Sequence, residues 1–164
     1  ELRAPDAAKQ VARRLTIKAA TRLRRMEYYA TCFDLSFRTS DNERYATSIK
    51  FSPSQDNFTF LSALDNLWAA MMYKARPWRL KKVSVTIHGL CLREEITPDL
   101  FDTTSEHFQK IQARDNKLSD VMDSINRKFG AETIRLGQSP KTAAGYVGTK
   151  IAFTRIPDKE EFAE

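Results

Sequence analysis

The chain has only two cysteines, Cys32 and Cys91. No CxxC pair and no Cys/His cluster occurs, which excludes a structural zinc site of the usual ligand spacing. Both thiols are expected to pack as small hydrophobes in a reducing, cytoplasmic setting. No apolar run approaches the roughly 18 residues of a membrane span, and the start has no apolar stretch after its charges, so it does not read as a signal peptide. An initiator Met is also lacking, which suggests a fragment of a longer protein. There is no nucleophile motif, no Gly-rich phosphate loop, no internal repeat and no low-complexity tract. The two histidines, His88 and His107, have no second ligand at useful spacing. Asp120 and Asp123 share a helix but have no second carboxylate set to build a two-metal site with, and they read as a solvated face. These absences exclude metal and nucleophilic chemistry, and the segment is expected to catalyse nothing.

Charge and alternation carry the information that is present. The formal net charge is +6, unevenly spread: residues 1–94 hold 17 Lys/Arg against 9 Asp/Glu, or +8, and residues 95–164 hold 10 against 12, or −2. A basic first part suggests a polyanionic partner there. Three segments, Thr31–Arg38, Arg44–Phe51 and Lys81–Gly89, alternate with period two. Phe33, Leu35 and Phe37, then Thr47, Ile49 and Phe51, then Val83, Val85 and Ile87 fall on one face. The other faces carry Asp34, Ser36 and Arg38, then Ala46, Ser48 and Lys50, then Lys82, Ser84, Thr86 and His88. That pattern predicts a half-buried sheet whose solvated face suits a phosphate backbone.

Pro5 and Asp6 open a helix running to about Arg25, with a stripe of Ala8, Val11, Ala12, Leu15, Ala19 and Leu23. Thr39-Ser40-Asp41-Asn42 joins the first two strands as a hairpin. Ser52-Pro53-Ser54 breaks the chain, and Asp56 or Ser54 caps a second helix to about Lys74. Its stripe of Phe60, Leu61, Leu64, Leu67, Trp68, Met71 and Met72 reads as core. Pro77 ends it. Thr103-x-x-Glu106 could be a capping box, and a further helix covers about 115–128, with Leu118, Val121, Met122, Ile125 and Phe129 on one stripe and Gly130 as its stop. Glu132–Leu136 and Val147–Phe153 are candidate short strands, and the tail at Asp158–Glu164 is expected to fray. The fold class is α+β: an antiparallel sheet with two helices on one face, plus a C-terminal helical extension. The division falls at 1–94 and 95–164.

The run Ala12-Arg13-Arg14-Leu15 to Leu23-Arg24-Arg25-Met26, then Phe33–Arg38, then Trp78–Leu90 ending in Ile87-His88-Gly89-Leu90, resembles the C-terminal little-finger domain of Y-family translesion DNA polymerases. Asp99-Leu100-Phe101 and Ile125-Asn126-Arg127-Lys128-Phe129-Gly130 resemble segments that follow it in bacterial members. The likeness covers about residues 4–136 and rests on the order of the motifs. Gly145–Phe162 resembles a bacterial subgroup.

The resemblance implies a four-stranded sheet with two helices on one face and its open face in the DNA major groove. The chain departs from that pattern by starting at the first helix; the first strand is missing or replaced, with Val147–Phe153 a candidate. The resemblance also implies that the catalytic carboxylates lie in an absent palm domain, where the parent would use Mg2+ as a DNA-directed DNA polymerase active at damaged templates. The fragment itself needs no cofactor.

The expected partner is double-stranded primer–template DNA, contacted by Ser36, Arg38, Arg44, Ser48, Lys50, Lys82, Ser84, Thr86 and His88, with no sequence read. Asp34 on the same face counts against uniform binding, and Arg13, Arg14, Arg22 and Arg25 are second-tier. No membrane or small-molecule substrate is expected. Bacterial relatives carry a sliding-clamp motif near Thr97-Pro98-Asp99-Leu100-Phe101. Here Asp99, Leu100 and Phe101 fit, and Thr97 stands where Gln is expected. The pair Leu100-Phe101 would otherwise fold onto the core. An RNA-binding module is disfavoured, because the strand aromatics face the helices. A protein-interaction domain working through residues 95–164, without direct DNA contact, is the alternative.

Overall fold

The computed structural model describes residues 4–96, 106–130 and 133–137, with the backbone alone for 106–109. The first helix, α1 (Pro5–Arg25), starts with Pro at its first turn, where an N–H would have no partner, and with Asp6 beside it to favour the helix dipole. Its last turn carries Arg22, Arg24 and Arg25, and Glu27, at φ 59°, turns the chain out through an N–H bond to the Arg24 carbonyl. The buried face is Ala8, Ala12, Thr16, Ala20 and Leu23. It is rotated from the expected stripe, since Val11, Leu15 and Ala19 are only half-buried. The residues spaced by four are small, which lets the helix approach the sheet closely, and Thr16 is accommodated by donating its hydroxyl to the Ala12 carbonyl.

Strands β1 (Tyr28–Thr39) and β2 (Arg44–Ser54) form the hairpin. Its turn closes with the Thr39 N–H on the Glu43 carbonyl and the Asn42 N–H on the Thr39 carbonyl, and Asn42 takes the left-handed conformation that Asn tolerates. Strand β2 does not stop at Ser52-Pro53. It continues to Ser54, which pairs with Ala30 after an irregularity in register. The sequence reading missed this because proline looks like a breaker; on an edge strand its lacking N–H costs no ladder bond.

Helix α2 (Asn57–Ala75) is capped by Asp56, whose carboxylate accepts from the Thr59 N–H and hydroxyl and from the Ser54 hydroxyl. It ends at Arg76, in the left-handed conformation, just before Pro77. Strand β3 (Leu80–Leu92) follows, then a 3-10 turn at Arg93–Glu95.

The sheet order is β2-β1-β3, with both pairings antiparallel. Strands β2 and β3 are therefore parallel, separated by β1 and joined by the α2 crossover. Helix α1 lies over β3 and β1, and α2 over β2 and β1. Between the layers sit Phe33, Leu35 and Phe37 of β1 with Phe60, Leu61, Leu64 and Trp68 of α2. Edge and tilted aromatic contacts, Phe37 with Trp68 and Phe51 with Phe60, fill the centre. The fold is α+β, as the alternation predicts.

Helix α3 (Glu106–Phe129) is one continuous element, beginning about nine residues before the expected helix. Thr103 of the proposed capping box lies outside the described residues. Met122 is buried, and Ser119 accepts the N–H of Asn57, the first residue of α2. Gly130, at φ 108°, ends the helix. Beyond it, residues 133–137 are bends, with no strand among them. The Asn126 side chain bonds both the N–H and the carbonyl of Ile134, satisfying the groups that a strand partner would have taken. The candidate strand at 147–153 and the tail lie outside the described residues.

Candidate nucleic-acid interface

The face of the sheet turned away from α1 and α2 follows from the pairing register. Four rows run across the strands in the order β2, β1, β3. The first is Arg44–Arg38–Lys82, the second Ala46–Ser36–Ser84, the third Ser48–Asp34–Thr86 and the fourth Lys50–Cys32–His88. All nine residues expected to share one surface do share it. The charged ones, Arg38, Arg44, Lys50 and Lys82, are exposed, as are Ser48, Thr86 and His88; Ser36 and Ser84 are half-buried. Cys32 is buried and Cys91 half-buried, neither in a disulfide. Burial pushes the Cys91 thiol up, with the Glu95 charge adding to it.

The first row sets three cations directly opposite one another, an arrangement that destabilises a sheet. Among the described residues none of the three has an acidic partner. The neighbouring carboxylate, Glu43, accepts from the Tyr45 hydroxyl at 2.8 Å instead. A fourth exposed cation, Lys81, adjoins Lys82 at an irregularity in register. Arg38 pairs with Lys82 and Thr39 with Leu80, so β3 has one residue too many at Lys81. Such a bulge re-aims a side chain, and both Lys81 and Lys82 are exposed while Leu80 is buried. Lys81 was not among the expected contacts. The one hint of it in the sequence is the adjacent Lys81-Lys82 pair, which breaks the alternation.

Asp34, the acid in the middle of the face, lies 2.9 Å from Nε2 of His88, one row away on the diagonal. It therefore has a partner on the same surface. Gly89 follows His88 with φ 67°, and its carbonyl accepts from the Thr31 hydroxyl. A Cβ at Gly89 would collide with the Thr31 side chain, so this position needs glycine for both conformation and space.

The second-tier arginines lie on α1, in the layer behind the sheet. Arg13 and Lys9 pair with Asp65 of α2, at 3.4 and 2.7 Å. Arg14 and Arg25 have interactions of their own, and Arg22 is exposed. Arg24, on the same helix but not among them, is buried and bound to Asp123 at 2.7 Å. Asp123 is accordingly no part of a solvated acidic face. Thr97, Asp99, Leu100 and Phe101 lie outside the described residues. Among the described residues no group of His, Cys, Asp and Glu could hold a metal ion, and no helix is long and apolar enough to cross a membrane.

Residues 1–100 match the model of the impB/mucB/samB family C-terminal domain. The chain belongs to this family, and the matched region is the little-finger domain of a Y-family DNA polymerase. No curated protein and no solved structure matches it.

Proposed function

We propose that this domain holds duplex primer–template DNA, without reading its sequence, on the open face of the sheet. The row Arg44–Arg38–Lys82 carries this reading. Three exposed cations facing one another without acidic partners are unfavourable in the free protein and become favourable when phosphates lie between them. Lys50 supplies a second positive point three rows away, about 20 Å along the strands at the usual rise per residue. Ser36, Ser48, Ser84 and Thr86 lie between the two ends and offer neutral hydrogen bonds. His88 occupies Asp34, which limits the repulsion that a free carboxylate would exert on phosphate. Contacts of this kind position a duplex and let it slide, which suits a polymerase working at damaged templates.

In this reading the parent is a DNA-directed DNA polymerase of DNA repair, cytoplasmic, with Mg2+ held by a palm domain, and residues 1–94 carry the DNA contact while catalysis lies elsewhere. The test is fluorescence anisotropy of a labelled primer–template duplex across a salt series. Arg38→Ala/Lys50→Ala/Lys82→Ala should weaken binding and lower the salt slope by about one unit per removed charge. Equal binding by the variant would move the contact off the sheet.

A second reading is favoured by one observation: Leu118, Val121 and Phe129 of α3 are exposed apolar residues. Together with the motif-like stretch Thr97–Phe101 they support a protein-docking role for residues 95–164, the sliding clamp being the partner the resemblance implies. Surface plasmon resonance of Leu100→Ala/Phe101→Ala on immobilised clamp tests it; unchanged binding would remove it.

A further inference from the structure

Trp78 is 83% exposed and Tyr73 78% exposed, the two most exposed of the large hydrophobic side chains among the described residues. They flank the turn from α2 into β3. Arg76 takes a left-handed conformation there and places its guanidinium 5.6 Å from the centre of the Tyr73 ring. Trp78 has no aromatic or cation–π contact among the described residues.

The turn is anchored at the sheet end that carries the cation row. The Ser40 N–H donates to the Arg79 carbonyl at 3.0 Å, and Lys81 Nζ donates to Asn42 Oδ1 at 2.8 Å. Leu80 pairs with Thr39, one step from Lys82–Arg38–Arg44. Lys74, Arg76, Arg79, Lys81 and Lys82 are all exposed, and no acid occurs between Asp65 and Glu94. An indole left in water forgoes the stabilisation of burial. One flanked in sequence by the exposed cations Arg76, Arg79 and Lys81 is suited to a polyanion whose bases are free to stack.

We propose that Trp78 is a stacking platform for an unpaired base, so that the domain grips the junction where single-stranded template leaves the duplex. Aromatic faces among cations bind single strands without sequence preference. Paired bases inside a duplex cannot offer their faces, so the ligand must be the strand beyond its end. The proposal rests on the sheet face holding that duplex, and it adds a component that the sheet cations cannot supply.

The test uses the full chain and two labelled probes, a blunt duplex and the same duplex with a single-stranded template extension. Wild type should bind the extended probe about tenfold more tightly, the lower part of the range for one stacked base, with quenching of tryptophan fluorescence. Trp78→Ala should bind both probes alike, at the wild-type affinity for blunt duplex, and Trp78→Phe should keep most of the preference. Arg38→Ala/Lys82→Ala should instead weaken both probes and keep their ratio. Circular dichroism should show every variant folded, since all these side chains are exposed. A wild-type protein with no preference, or a Trp78→Ala variant that keeps it, overturns the platform while leaving the sheet reading standing. Failure of wild type to bind either probe overturns both.

Discussion

The Arg24 guanidinium donates from Nε to Asp123 at 2.7 Å, joining the last turn of α1 to α3 across 99 residues of sequence. The same side chain donates from Nη1 to the Gln55 carbonyl and to Asn57 Oδ1, at the start of α2. Asp123 also accepts from the Thr21 hydroxyl. Three helices thus meet on one ion pair whose side chains are only 5% and 14% exposed. At that burial, each charge depends on the other to offset lost hydration.

Removing one partner should therefore be costly. Asp123→Ala, which strands the Arg24 charge, is expected to destabilise the chain by about 3–5 kcal/mol. The apolar pair Arg24→Met/Asp123→Leu should cost much less, because no buried charge remains. Urea unfolding followed by circular dichroism measures both; equal losses would mean that packing, and not charge, holds the junction.

Gly89→Ala should destabilise by about 1–2 kcal/mol from its left-handed conformation alone, and further from the collision with Thr31. Thr31→Ala/Gly89→Ala should recover only the collision part. Thermal unfolding of the two variants separates the contributions.

Lys81→Ala should weaken duplex binding as Lys82→Ala does, and lower the salt slope by about one unit, because both are exposed cations side by side at the register irregularity. An unchanged slope in anisotropy titrations would show that Lys81 only braces the turn through Asn42.

The Tyr45 phenol is pushed up, first by its hydrogen bond to Glu43, then by partial burial and the Glu43 charge. Losing the proton would set a phenolate against a carboxylate and remove the donor. Glu43→Gln removes the charge, so the phenol should then ionise at lower pH than in wild type. NMR of ring-labelled tyrosine across alkaline pH reads this directly; an unmoved titration would show that the contact does not persist in solution.

Much of this architecture follows from local pattern. Period-two alternation assigned the sheet faces, because a strand alternates its side chains whatever it packs against. The stripe from Phe60 to Met71 and a cap at Asp56 or Ser54 defined α2 for equally local reasons, and the structure makes the cap Asp56. Both devices act within a few residues, so they can be read without the fold, and so can the set of side chains that share the open face.

Tertiary structure decided what depends on partners far along the chain. That Arg24 is a buried junction depended on Asp123, which no spacing rule connects to it. Whether Pro53 broke β2 depended on that strand lying at an edge. Lys81 stands exposed beside Lys82 because pairing with β1 left β3 one residue too long. Registers, edges and buried charge pairs are set by which surfaces meet, and the free energy of their meeting belongs to the assembled layers and to no single segment.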